Sequence, residues 1–467
     1  MSLSRRHFLR NGTALALGGA TGFANDLMRF NAFAADTSGY KAVVCVFLFG
    51  GMDGHDALIP YDQSSYNQYA SVRSELLNRY GDNEGGSTRT RDQLLPLNLA
   101  NAGDFGGRQF ALAPELGPLH ELIERGDGAL VGNVGPLVTP LDREDYRNRS
   151  APRPPRLFSH NDQQSVWMSS EPEGARFGWG GRLADMIAAS VGSADSTFSA
   201  VSANGNAVFL QGQNVGQYQV GSSGPEEIRG LGDERYFGAD SFAAQYESLL
   251  TGEGQSFGNI LQQDFTAIMD RSIEANRTLR ESFSGSSPFS TVFPNSRLGR
   301  QMQVIARIIA LRGTLGVSRQ IFFAGTGGFD THSNQAGSMP GLQANFAGAM
   351  RAFYDAMAEI GVDRDVVAFT ASDFGRTLTI NRDGTDHGWG GHHFVIGGGV
   401  NGSRIVGDVP EPVTEHSQDS GNGRLIPTTA VDQFAATLGR WYGLNESELD
   451  DALPGLSNFS QRDIGLF

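Results

Sequence analysis

The chain has 467 residues, a formal net charge of −15 and a pI near 5.0. That length suffices for one large core or two domains. So acidic a balance leaves no basic face for phosphate contacts, which excludes nucleic acid as a partner. The only cysteine, Cys45, excludes an internal disulfide. The 62 glycines have no three-residue period and point instead to many tight turns.

The N-terminus reads as a targeting segment. Ser4-Arg5-Arg6-His7-Phe8-Leu9-Arg10 carries a twin-arginine motif, residues 13–23 form a weakly apolar run, and Ala32-Phe33-Ala34 is an A-x-A cleavage site. The run is too short and too glycine-rich to span a bilayer. The expectation is a signal peptide over residues 1–34, with the twin-arginine translocase as partner during export. A mature chain from Ala35 would then act in the periplasm or outside the cell, with no stable membrane anchor. Losing four arginines and one aspartate moves the formal charge from −15 to −18. Folding in a reducing cytoplasm before export agrees with the lack of disulfides.

Residues 42–49 (AVVCVFLF) read as a strand buried on both faces, with Cys45 in the core. It ends in Gly50-Gly51-Met52-Asp53, where glycine lets the backbone turn sharply and approach a ligand. After a polar, loop-rich stretch over 61–125, residues 128–134 (GALVGNV) form a second buried strand. A loop rich in proline and arginine over 136–155 then delivers Ser159-His160-Asn161-Asp162-Gln163. Ser159 or Asn161 would cap a helix there. A serine at a helix N-terminus is also where a nucleophile is activated.

A helix over 177–190 turns Leu183, Met186 and Ile187 inward. Residues 203–258 are rich in Gly, Ser, Gln and Asn and read as loops and short strands, closed by an amphipathic helix over 259–283. The whole stretch 200–296 reads as an insertion or cap. Helix and strand periods then alternate. A helix spans 298–311, a strand over 320–324 leads to Asp330 and His332, and a helix over 341–360 buries Phe346, Met350, Phe353 and Met357. A strand over 365–371 leads to Asp373 and Arg376. His387, His392 and His393 precede a short strand over 394–396, and a helix over 429–441 ends at Gly443.

Three strand ends therefore carry Asp53, Asp330 and Asp373, accompanied by four histidines. Residues so far apart in sequence converge most readily at the carboxyl edge of one parallel sheet. Aspartate and histidine are usual ligands of zinc, manganese or iron. The bland alternative is a polar loop whose histidines are merely solvated.

The twin-arginine start, GGMDG, the SH-x-x-Q stretch, FDTH, SDFGRT and the HHFVIGGG segment resemble an exported bacterial domain of unknown function. That family is placed in the alkaline phosphatase-like superfamily, beside sulfatases and metal-dependent phosphomutases. The resemblance spans about residues 42–443. It implies an α/β fold, a three-layer sandwich whose mostly parallel sheet carries helices on both faces and binds one or two divalent ions (zinc, manganese, magnesium or calcium). By motif, Asp53 and Asp373 would serve one ion, and Asp330, His332 and either His392 or His393 the other. Ser159 would be the nucleophile. Where the superfamily has Asp-His, this chain has Asp373-Phe374, so either His387 replaces the missing ligand or one ion is absent.

Two functions follow. One is an exported metal-dependent hydrolase of phosphate or sulfate esters, with Arg376 holding a non-bridging oxygen. The other is a non-catalytic ligand-binding or scaffold protein that retains the fold. The Asp and His inventory favours the first, and Phe374 favours the second.

Overall fold

A strand in which every second side chain meets the same apolar layer needs two cores, one on each face. Lys41–Leu48, strand β1, has both. Val44, Val46 and Leu48 enter one buried cluster, and Val43, Cys45 and Phe47 enter the other. The computed structural model describes residues 35–82, 88–191, 197–231, 242–253 and 259–467. The expected signal peptide, residues 1–34, lies outside them.

The remaining described strands are β2 (Leu58–Pro60), β3 (Leu95–Pro96), β4 (Phe110–Leu112), β5 (Gly128–Gly135), β6 (Ala200–Ser202) and β7 (Tyr218–Gln219). After them come β8 (Arg319–Thr326), β9 (Val366–Ser372), β10 (Arg376–Ile380), β11 (Thr385–His387), β12 (Gly391–Gly397), β13 (Ile405–Gly407) and β14 (Thr429–Ala430). The central sheet runs β13-β5-β12-β9-β1-β8-β6-β7, with β14 also on β5. Its pairs are parallel except around β12, which is antiparallel to both β5 and β9. The protein is thus a mixed α/β fold around a mainly parallel sheet. The helices Arg297–Ala310 and Gln335–Glu359 cover one face, and Trp179–Val191 and Val431–Tyr442 the other.

Two sequence expectations change here. The stretch 200–296 is not wholly inserted, because β6 and β7 extend the central sheet beyond β8. The strand expected over 394–396 begins at Gly391, so His392 and His393 are strand residues rather than loop residues. They point to opposite faces, as strand geometry requires.

The carboxyl ends of β9, β1 and β8 lie side by side. Gly50 and Gly51 follow β1 at φ +116 and +87, in the region that favours glycine. A Cβ on Gly50 would come within 2.3 Å of the Asp330 amide nitrogen, and one on Gly51 within 2.5 Å of the Phe374 ring. These glycines let the loops after the three strands close onto one another.

Candidate metal centre

His160 is the first residue of the helix His160–Ser169, whose N-terminus faces the sheet's carboxyl edge. Asp330 and His332 follow β8, and Asp373 follows β9. His387 ends β11, a short strand held antiparallel to β10 by the pairing of Arg376 with His387. Because β12 is antiparallel, the chain entering it arrives at the edge where the parallel strands leave, which brings His387 to Asp330.

The imidazoles are oriented from behind. His387 Nδ1 donates to the Phe158 carbonyl at 2.7 Å. His160 Nδ1 donates to Asp373 Oδ2 at 2.6 Å, and His332 Nδ1 to Asp386 Oδ1 at 3.2 Å. Each acceptor is a carbonyl or carboxylate, so Nδ1 carries the proton and Nε2 carries the lone pair of the neutral ring. All three Nε2 atoms turn towards Asp330. They lie 3.4 Å (His160), 3.1 Å (His332) and 3.2 Å (His387) from its carboxylate oxygens. The Nε2 atoms of His332 and His387 are 2.8 Å apart. Two facing lone pairs at that distance repel unless a proton or a cation is shared between them.

His160, Asp330 and His387 each offer a ligand atom, all within 4.8 Å of one another. His332 adds a donor on the Asp330–His387 side. Donors each about 2.1 Å from one ion sit about 3.4 Å apart, a spacing that the 3.1–3.4 Å distances from Asp330 to the three Nε2 atoms approach.

Electrostatics divides the roles. The hydrogen bond to Asp373 raises the His160 pKa above its ordinary value. Burial lowers that of His387. Burial also opposes ionisation of Asp330, but the hydrogen bond and charge of Arg376 outweigh it and hold the carboxyl below the usual range. Asp330 is ionised at neutral pH and remains 44% exposed. The rings of His160 and His387 lie 4.9 and 4.6 Å from Phe374, which walls the site where a ligand was missing from the motif.

Several expected roles are corrected. Asp373 is wholly buried and accepts from the Gly50 amide, His160 Nδ1 and Gln164 Nε2, so it orients His160 instead of facing the site. The Arg376 side chain is also buried. Its nitrogens bond Asp330 Oδ1, the Gly50 and Thr385 carbonyls and Thr385 Oγ1, and the side chain has no exposure to meet a substrate oxygen. Ser159 sits at the helix N-cap without a capping bond, and its hydroxyl donates to Asp162 at 2.9 Å.

Asp53 is not with the cluster at all. Arg73 holds it at 2.7 and 3.1 Å, and Gln335 donates to it at 2.6 Å. Burial works against its charge, but Arg73 more than offsets that and keeps its pKa low. His392 accepts from the Asn133 amide at 3.0 Å, and His393 lies 3.2 Å from the Thr370 hydroxyl and edge-on to Trp167. Burial holds these two rings neutral, with pKa values of about 4 and about 3.

Of the expected ligands, Asp330, His332 and His387 come together. Sequence reasoning missed His160 and Asp386 in these roles. His160 stood next to the serine that drew attention, and its signal was an imidazole at a helix N-terminus following a loop.

The family described as a protein of unknown function (DUF1501) matches residues 40–453, which takes in every residue of this site. The chain belongs to that family. No curated protein matches it. Among the described residues of this DUF1501 chain, no helix is long and apolar enough to cross a membrane.

Proposed function

We propose that this protein, exported by the twin-arginine route, binds one divalent metal ion through His160, Asp330, His387 and His332 and hydrolyses phosphate or sulfate esters. The observation that carries this is the set of three imidazoles, each anchored at Nδ1, with their Nε2 atoms gathered on one exposed carboxylate. The sheet architecture is compatible with the alkaline phosphatase-like superfamily that the motifs resemble. One ion is proposed rather than two, because the third strand-end carboxylate, Asp53, already has Arg73 as its cation.

When bound, such an ion supplies Lewis acidity to an ester oxygen and acidifies a water molecule. The chain's own residues do the positioning. Asp373, itself held by Gln164, fixes the plane of His160, Asp386 fixes His332, and Arg376 holds Asp330 ionised. Phe374 narrows the site to one side.

A second reading, metal or ligand binding without catalysis, is favoured by a specific observation. The Ser159 hydroxyl and the Arg376 guanidinium are both committed within the protein.

The deciding experiment has two arms. Elemental analysis of folded wild type and His160→Ala is expected to give about one ion per chain in the first and a clear deficit in the second. Equal content in both, or none in either, removes the site. A panel of phosphate monoesters, diesters and sulfate esters is then assayed with zinc, manganese, magnesium or calcium. Turnover lost in His160→Ala and retained in Ser159→Ala supports the hydrolase with water as attacker. A loaded protein that turns over none of them supports the binding reading.

A further inference from the structure

Among the described residues, the helix Ile260–Phe283 is anchored at one end only. Its buried residues, Ile273, Ala275 and Leu279, all lie in its second half. The shorter helix Phe242–Thr251 reaches that half too, through the ion pair of Glu247 with Arg277 at 2.7 Å. In the first half, Leu261, Phe265 and Ile268 are 72, 55 and 53% exposed. They recur at spacings of four and three, and the same stripe runs on to Ala275 and Leu279. That is the spacing of a helix seam that packs on another helix. A helical segment of about 12 residues with nothing against it is marginal in water. An apolar seam on it is therefore both a solvation cost and an unused source of stability.

The polar residues beside the seam indicate what covers it. Asp264 and Arg271 flank the stripe on one side, seven residues apart. Neither has an ion-pair partner among the described residues. If a second copy of this helix lies antiparallel across the seam, a two-fold axis between Thr266 and Ala267 sets Phe265 of each copy against Ile268 of the other and brings Asp264 of each near Arg271 of the other. One pairing thus covers the apolar stripe and completes two ion pairs, as an isologous interface requires. A lipid surface fits less well, because interfacial helices carry excess Lys and Arg on the polar face. This half has Asp264, Asp270 and one arginine, on a chain of net charge −15.

We propose that the first half of Ile260–Phe283 is the interface between two copies of this chain, paired antiparallel through Leu261, Phe265 and Ile268 with reciprocal Asp264–Arg271 contacts. The proposal is independent of the metal site.

Sedimentation equilibrium of the full chain over a wide concentration range tests it, with melting temperature followed to confirm folding. A reversible dimer is expected. Leu261→Ser with Phe265→Ser should raise its dissociation constant about 30-fold or more, as loss of a buried apolar anchor does. Asp264→Arg alone should weaken the dimer, and Asp264→Arg combined with Arg271→Asp should restore it. That rescue separates the antiparallel pairing from general stickiness. A monomer at every concentration overturns the proposal. So does a dimer indifferent to both sets of substitutions, or a monomer that floats with phosphatidylglycerol vesicles through Leu261 and Phe265.

Discussion

Two carboxylate clusters sit at the same sheet edge, and they are put to opposite uses. Asp53 and Asp56, just after β1, are wholly buried with Arg73 and Arg89. Asp330, which follows β8, a strand far from β1 in sequence but beside it in the sheet, is 44% exposed and surrounded by imidazoles. A guanidinium is a permanent cation, so the first cluster is neutralised once and for all. An imidazole can give up its proton and offer a lone pair, so the second can exchange protons for a metal. The proposed metal site needs the second cluster's features, since its counter-charges are removable and its carboxylate is exposed.

The largest expected effect tests the closed cluster. Arg73→Ala leaves Asp53 buried without its cation, and should cost about 3–5 kcal/mol of stability. Urea unfolding measures it. A loss below about 1 kcal/mol would mean that water replaces the guanidinium and that the two clusters differ less than their burial suggests.

The next tests the open cluster through residues that touch no substrate. Asp386→Ala should weaken zinc binding about 10- to 100-fold by freeing His332, as loss of an orienting carboxylate does. Asp53→Asn should leave it unchanged. Calorimetric titration of both variants decides whether the two carboxylates act separately. Equal losses would place Asp53 in the metal site after all.

Acid should act on the buried side first. His55, His392 and His393 are held neutral by burial, with pKa values of about 3, about 4 and about 3. Their folded pKa values lie below the unfolded value of about 6.5. As pH falls below that value, the unfolded chain takes up protons that the folded chain refuses. Stability therefore declines from about pH 6.5 downwards, by up to about 1.4 kcal/mol per pH unit for each imidazole, until the folded values are reached. Unfolding free energies at several pH values from neutral to mildly acidic check the slope. His393→Leu should reduce it by one imidazole's share.

The smallest effect concerns Ser159. Its hydroxyl bonds Asp162 and makes no capping bond, so Ser159→Ala should cost about 1 kcal/mol. Metal content should be untouched. A metal deficit in that variant would show that the start of the helix His160–Ser169 is positioned by this hydroxyl, and would tie Ser159 to the site through its neighbour.

Much of the frame could be read directly from the chain. Apolar runs marked β1, β5, β8 and β9 within a few residues, because strands buried on both faces leave an unbroken hydrophobic signature. The helices Arg297–Ala310 and Val431–Tyr442 announced themselves by a period that one-sided burial imposes. A strand followed by a carboxylate located Asp330 and Asp373, and polarity located His332 and His387. The short strands β6 and β7 carried too few residues to show a period, so their stretch read as an insertion.

What each carboxylate does was decided elsewhere. Sequence could not distinguish Asp53 from Asp330, since both follow a buried strand. The difference lies in Arg73 and His160, which arrive from other parts of the chain and are selected by packing alone. Likewise His392 and His393 looked like loop ligands until β12 took them up as strand residues. The chain by itself thus determined the alternation of elements and the kinds of residue at the sheet edge, because those depend on local period and local polarity. Only the tertiary structure decided which charges meet, because a pairing energy depends on distance and burial, and neither is a property of neighbours in sequence.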